Sequence, residues 1–406
     1  MKRVFDLYRN AFGGISKEVW YLSVMQFINR CGTMVFPFLS VYLKDEVSFD
    51  MVEVGAAMAC FGLGSLLGVF TGGKIVDRIG SYSVMLFSLL TGGVLFLLMS
   101  YVSSFAMMCF GLFLLSSFSE AFRPAGMVAI SNYSTKENYT RSVSLYRLAM
   151  NLGFSIGPAI GGFLAFYNYR LIFWVDGLTC IGAGLMLILL LKPKKNIAQT
   201  VQPKAAAEPD GKSAYRDRIY FIFLIATVVY AMSFFQFFST MPLFYKEVAG
   251  MDERQIGWLL TLNGVIVATL EMVMIYKIEK KYSPLNWVMF GTSLLTISYL
   301  ALLFFDSIPW LIVLMVVVSF SEMFAMPFMN TFMNERAHDA KRGQYASLYV
   351  MAWSIAQILI PLLTTNVISG FGYNALWIVM AILSVTTIAL IYYLKKSVQK
   401  EEIMRS

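Results

Sequence analysis

Arg30, Glu120, Arg123, Arg147, Asp176, Glu271 and Glu322 all stand inside otherwise apolar runs of this sequence. A charge at the centre of a lipid bilayer costs at least about 2.5–3.5 kcal/mol, so each needs a partner, a water-filled cavity or a task. Glu120 and Arg123 are three apart, share one helix face and can neutralise each other. Arg30 and Glu322 have no counter-charge on their own helix. They must pair across a bundle, bind a charged solute or carry a proton. Arg147 lies close enough to a helix end to snorkel. Asp176 lies near the opposite end, where a cap or rim contact is expected, and Glu271 is a weaker candidate near the end of its run. Chemistry of other kinds is excluded. The one histidine, His338, sits beside Asp339 in a polar loop with no nucleophile elbow and no metal-ligand spacing. The four cysteines, Cys31, Cys60, Cys109 and Cys180, fall singly within apolar runs, against a disulfide frame or zinc site. There is no phosphate loop, so no catalytic residue, metal or cofactor is expected.

The elements that hold these charges follow from composition. Of 406 residues, 58% are hydrophobic and 14% charged, whereas a soluble domain carries about 25% charged residues. A cytosolic enzyme and a nucleic-acid-binding domain are thereby excluded. A bilayer span needs about 20 apolar residues, and twelve runs qualify: 19–43, 54–75, 83–103, 105–131, 142–166, 170–191, 219–245, 254–276, 284–305, 309–332, 343–369 and 373–394. Pro37, Pro124, Pro158, Pro242, Pro327 and Pro361 fall inside these runs, where neighbouring helices satisfy the freed backbone groups. The stretch before the first run holds Lys2, Arg3, Arg9 and Lys17 and has no cleavage site, so no removed leader is expected. Most of the 32 Lys and Arg fall on the side of both termini, and only Lys44, Arg170, Lys246 and Arg254 on the other. The positive-inside rule then places both termini in the cytoplasm. The net charge of +8 is an insertion signal, not a nucleic-acid site.

Pro193 to Arg218 is the one long polar, Pro/Ala-rich stretch. It divides the chain into a bundle at 1–192, a cytoplasmic linker at 193–218 and a bundle at 219–406. The halves repeat at an offset of about 202 positions. Ser117-Phe118-Ser119-Glu120-Ala121-Phe122 recurs as Ser319-Phe320-Ser321-Glu322-Met323-Phe324, Ser144-Leu145-Tyr146 as Ser347-Leu348-Tyr349, Pro158 as Pro361, and Asp77-Arg78 as Glu279-Lys280. Six spans per copy make the repeats parallel, as in transporters built from two related bundles. The expected fold is all-α, with twelve transmembrane helices in two pseudo-symmetric six-helix bundles.

Two motifs give a family resemblance over the whole length. Gly73-Lys74-Ile75-Val76-Asp77-Arg78-Ile79-Gly80, at the end of span 2, fits the G-x-x-x-D-R/K-x-G loop of the major facilitator superfamily. Ser81 and Tyr82 stand where the family continues with two basic residues. Gly153, Gly157, Pro158, Gly161 and Gly162 in span 5 resemble the G-x-x-x-G-P-x-x-G-G segment of that superfamily's proton-driven drug antiporters. Ser144 replaces a glycine expected upstream, and small-residue helix packing is the alternative reading. The resemblance implies that spans 1, 4, 7 and 10 line a central cavity. Arg30, Glu120, Arg123 and Glu322 then become its substrate or proton-coupling residues. It also implies a gating role for Gly73, Asp77, Arg78 and Gly80, with Asp77 meeting the start of span 11 when the cytoplasmic side is closed.

Two transport readings follow. The first is proton-coupled export of amphipathic, drug-like compounds, favoured by the span 5 segment and by Met and aromatic residues such as Phe235, Tyr42 and Tyr146 in the cavity-lining runs. The second is proton-coupled uptake of a zwitterionic or anionic solute such as a small peptide. Asn29-Arg30, Arg123-Pro124 and Glu322 resemble charged motifs of proton-dependent oligopeptide transporters, with Asn29 replacing an acid and Gln236 standing where span 7 would carry one. The expected partners are a small-molecule substrate, protons and the lipid bilayer, with no nucleic acid, and the chain is expected to act as a monomer in a plasma or inner membrane.

Overall fold

The computed structural model describes residues 14–32, 34–135, 138–193, 213–337 and 342–405. Most of the linker, His338 and Asp339 lie outside the described residues. Span 1 is formed by α1 (Lys17–Cys31) and α2 (Val35–Asp45), span 2 by α3 (Met51–Ile79) and span 3 by α4 (Ser81–Met99). Span 4 comprises α5 (Phe105–Glu120) and α6 (Phe122–Tyr133), span 5 is α7 (Tyr139–Tyr167) and span 6 is α8 (Arg170–Leu190). Span 7 comprises α9 (Arg218–Ser239) and α10 (Met241–Glu247). It is followed by α11 (Glu253–Ile278), α12 (Pro284–Ala301), α13 (Ile308–Arg336) and the long α14 (Arg342–Arg405). Among the described residues, nine helical segments are long and apolar enough to cross a membrane, and the last of them, Gly343–Glu401, is long enough for two crossings. Gly372, with φ 77° and ψ −179°, leaves helical geometry between those two. The paired helices of span 1 and α12 complete the pattern expected from the apolar runs.

The prolines act unequally. Within a helix, proline removes one N–H and its ring crowds the carbonyl four residues back. In spans 1, 4 and 7 the helix breaks there: α1 ends at Cys31 before Pro37, α5 ends at Glu120 before Pro124, and α9 ends at Ser239 before Pro242. In all three cases the proline lands in the first turn of the following helix, where its missing N–H had no intrahelical acceptor. Pro158, Pro327 and Pro361 instead stay inside continuous helices.

Contacts group the chain into two units, Met1–Val35 with Leu63–Pro203, and Phe36–Gly62 with Lys204–Ser406. In the first unit, Leu22, Met25, Met85, Leu89, Phe122, Ile130 and Leu187 form a buried apolar core. Gly64, Gly68 and Gly72 bring α3 against the backbone of Phe113, Ser117 and Ala121, so closely that a Cβ would collide. Association in lipid depends on such close backbone approach. In the second unit, a Cβ at Gly55 would strike Thr365 and the Pro361 carbonyl, and one at Gly62 would crowd the Gln357 carbonyl of span 11. Aromatic rings fill its interior, with Tyr230 and Phe234 of α9 lying 6.1 Å and 6.3 Å from Trp353.

Polar ties close the ends of the second unit. Asp217 caps α9 by accepting from the Tyr220 N–H, and Arg336 grips the same carboxylate from both sides at 2.7 and 2.9 Å. Burial pushes the Asp217 carboxyl up, but the Arg336 fork outweighs it and holds the group below its ordinary value. At the opposite ends of the helices Lys44 meets Glu247 at 2.5 Å, and Lys246 bridges Asp45 and Glu253 at 2.6 Å each. Burial alone would lower the Lys246 ammonium, whereas the two carboxylates raise it.

Residues 73–79 are the last turns of α3, and Gly80 alone makes the turn into α4, with φ 88°. A side chain there is strained whatever space surrounds it. Gly80→Ala is expected to destabilise the protein by about 1–3 kcal/mol, read as a lower thermal midpoint in detergent, whereas Gly73→Ala, which sits inside α3 and meets nothing within 4 Å, holds or raises the midpoint.

Candidate functional site

The first unit gathers polar groups from spans 1, 4, 5 and 6. Gln26 and Arg30 lie one turn apart on α1 and therefore share a face. Arg30 is 7% exposed, and its guanidinium lies over the Phe154 ring of α7, 5.1 Å from the centroid, the geometry of a cation–π contact. Glu120, Arg123, Tyr146 and Cys180 are its electrostatic neighbours. Glu120 and Arg123 pair at 3.3 Å with the Arg123 side chain exposed, and the break at Ala121 leaves their spacing helical. The Tyr146 hydroxyl donates to Gln26 Oε1 at 2.9 Å.

Small residues allow this gathering. A Cβ at Gly153 would strike Arg30 itself, and one at Gly157 would crowd the Cys31 and Arg30 carbonyls. The glycines of the span 5 motif therefore seat α7 directly on the Arg30 turn. Pro158, Gly161 and Gly162 are buried further along the same helix.

The second unit centres on Glu322, in mid-helix on α13. Asn263 of α11 donates through Nδ2 to Ser319 Oγ at 3.0 Å and to Glu322 Oε2 at 3.2 Å. Glu271 of α11 and Tyr230 of α9 lie within electrostatic reach of the same carboxyl group. The group thus sits among three helices with a neutral amide as its hydrogen-bond donor.

The structure brings Arg30, Glu120 and Arg123 together in one unit and places Glu322 with Asn263 in the other. Gln236 is fully buried, and its side-chain amide has no hydrogen-bond partner among the described residues. Arg147 is exposed on α7, and Asp77 and Arg78 are exposed at the end of α3. Asn263, Gln26 and Tyr230 carry no charge and are not among the residues the sequence marks. All are neutral polar groups inside apolar runs, and that pattern was the available signal. Asp176, expected as a cap or rim residue, is fully buried and caps α2.

The chain is similar to known proteins over most of its length. The Major Facilitator Superfamily model matches residues 22–361 and again 250–403. A Na(+), Li(+), K(+)/H(+) antiporter of Planococcus maritimus is 24% identical over 87% of this chain and 90% of its own length. The quinolone resistance protein NorA of Staphylococcus aureus is 24% identical over 75% of this chain and 78% of its own. Among solved structures, the nucleoside transporter NupG superposes with TM-score 0.77 at 14% identity, covering 94% of this chain and 100% of its own. A POT family transporter in complex with 5-aminolevulinic acid superposes with TM-score 0.77 at 15% identity, covering 94% and 96%. Matched by the family model through both halves and built on the same fold as these transporters, the chain is an integral, multi-pass membrane protein and a transporter, not an enzyme, and it belongs to the Major Facilitator Superfamily.

Proposed function

We propose that the protein works by alternating access as a proton-coupled exporter of amphipathic, drug-like small molecules, with both termini in the cytoplasm. The observation that carries this is Glu322, a carboxyl group set between membrane helices and met by the neutral amide of Asn263. A carboxyl group that water reaches in one state and not in another exchanges a proton between the two. Solute and proton then compete for one unit's conformations, which is all that coupling requires. Arg30, Glu120, Arg123 and Gln236 complete the substrate and coupling set, and Asp77 and Arg78, beside the Gly80 turn, serve the gate. The similarity to NorA, a quinolone resistance protein, and the aromatic interior around Trp353 support an amphipathic, drug-like solute.

A second reading rests on Arg30. A buried guanidinium beside an aromatic ring can hold a carboxylate bidentately, which suits uptake of a peptide or another anionic or zwitterionic solute. The similarity to a monovalent cation/proton antiporter supports the proton half of either reading. Flux into proteoliposomes separates them. Ethidium, dialanine and sodium are supplied in turn, with and without an imposed pH gradient. Ethidium movement that follows the gradient is the expected result. Gradient-driven dialanine or sodium movement without ethidium movement replaces the first reading.

A further inference from the structure

We propose that Asp176 is a positioning residue for transport, its carboxyl group pinning a hinge in span 1 about which residues 36–45 swing while Arg30 stays seated. The proposal rests on the family's transport function and on no particular solute or coupling ion.

In span 1, α1 ends at Cys31 and α2 begins at Val35. Gly32 closes α1 by donating to the Ile28 carbonyl at 3.1 Å. The first N–H groups of the new helix have no acceptor within it and must find one elsewhere. Asp176, in α8 and fully buried, supplies them. Its Oδ2 accepts from Met34 N at 3.0 Å and from Val35 N at 2.9 Å, and its Oδ1 accepts from Met34 N at 3.2 Å. The usual helix cap is the residue just before the helix. Here the acceptor comes from another span, so the start of α2 is fixed in space independently of α1.

The two sides of the break are held by different parts of the molecule. On the α1 side, Gly153 and Gly157 seat α7 against Arg30 and Cys31, Gly32 lies against Thr179, and Asn29 meets Cys180 at 3.5 Å. All of these belong to the first unit. On the α2 side, the division between the units falls between Val35 and Phe36. The far end of α2 is held in the second unit by Lys44 on Glu247 and Asp45 on Lys246. The pin holds Met34 and Val35, the last two residues of this stretch that group with the first unit. Hinges absorb such motion at the ends of elements. An acceptor that reaches in from the side keeps both N–H groups bonded as the helix pivots about them.

The test uses pairs of spin labels on the full-length protein in lipid nanodiscs. One pair, at Glu46 and Arg170, spans the pin. The other, at Lys17 and Leu190, reports the α1 side. Asp176→Leu removes both acceptor oxygens and is expected to widen the Glu46–Arg170 distance distribution roughly twofold, with the Lys17–Leu190 distribution unchanged. Asp176→Asn keeps one oxygen where Oδ2 stands and is expected to restore the narrow distribution. An unchanged Glu46–Arg170 distribution in the Leu variant overturns the proposal, and so does equal widening of both pairs. Should the Leu variant not fold, the wild type still decides. Between acid and alkaline pH, with and without ethidium, the Glu46–Arg170 pair should sample two distances and the Lys17–Leu190 pair one. A single, fixed Glu46–Arg170 distance overturns the hinge. Absence of ethidium flux in liposomes would count against the exporter reading and leave these distances fully interpretable.

Discussion

Glu322→Gln is expected to abolish transport driven by a pH gradient while leaving solute binding and solute exchange measurable. The substitution keeps the size of the side chain and its ability to meet Asn263, whose Nδ2 lies 3.2 Å from Oε2, but removes the exchangeable proton. A coupled carrier converts the proton gradient into solute movement only through a group that changes protonation during the cycle. Gradient-driven initial rates should fall to the background of empty liposomes, and exchange between equal solute concentrations should remain within about threefold of wild type. Gradient dependence equal to wild type in this variant removes Glu322 from the mechanism and moves attention to Glu120.

Arg30→Met is expected to eliminate transport, and Arg30→Lys to weaken it by roughly tenfold, about 1.4 kcal/mol in transition-state terms. The planar guanidinium lies over Phe154 and presents donors in a fixed fork, whereas an ammonium is a single point charge on a flexible stem. Methionine matches the volume of the stem, so the fold around Gly153 should survive and a folded but inactive protein is the predicted outcome. Initial rates of solute flux, set beside a thermal melt of each variant, check both halves of the statement. Normal transport by Arg30→Met would make this charge a fold element only.

Some of this architecture was legible residue by residue. Glu120 and Arg123 could be paired from sequence because residues three apart face each other wherever the backbone stays helical, and Ala121, between α5 and α6, keeps φ −64° and ψ −20°. Gly153 and Gly157 could be read as packing positions because only small residues let backbones approach in lipid, and the structure gives the partner, the Arg30 turn. The unequal behaviour of the prolines could not be read. Whether Pro37 bends or breaks span 1 depends on an acceptor for the freed N–H groups, and that acceptor, Asp176, is more than a hundred positions away in sequence. Asn263 escaped for the same reason. A neutral amide in an apolar run carries no signal of which helix it faces until α11 and α13 are packed. Gln236 stands out in the sequence by position alone, and the structure buries it without giving its amide a partner among the described residues.

If solute and proton exchange at Glu322, solute binding must release a proton. Purified protein in weakly buffered detergent solution is mixed with ethidium, and the pH is followed with an indicator dye. An acidification that saturates with ethidium is expected for the wild type and none for Glu322→Gln, although the variant still binds. Release of the same size from both proteins, or binding to the wild type without release, would contradict it.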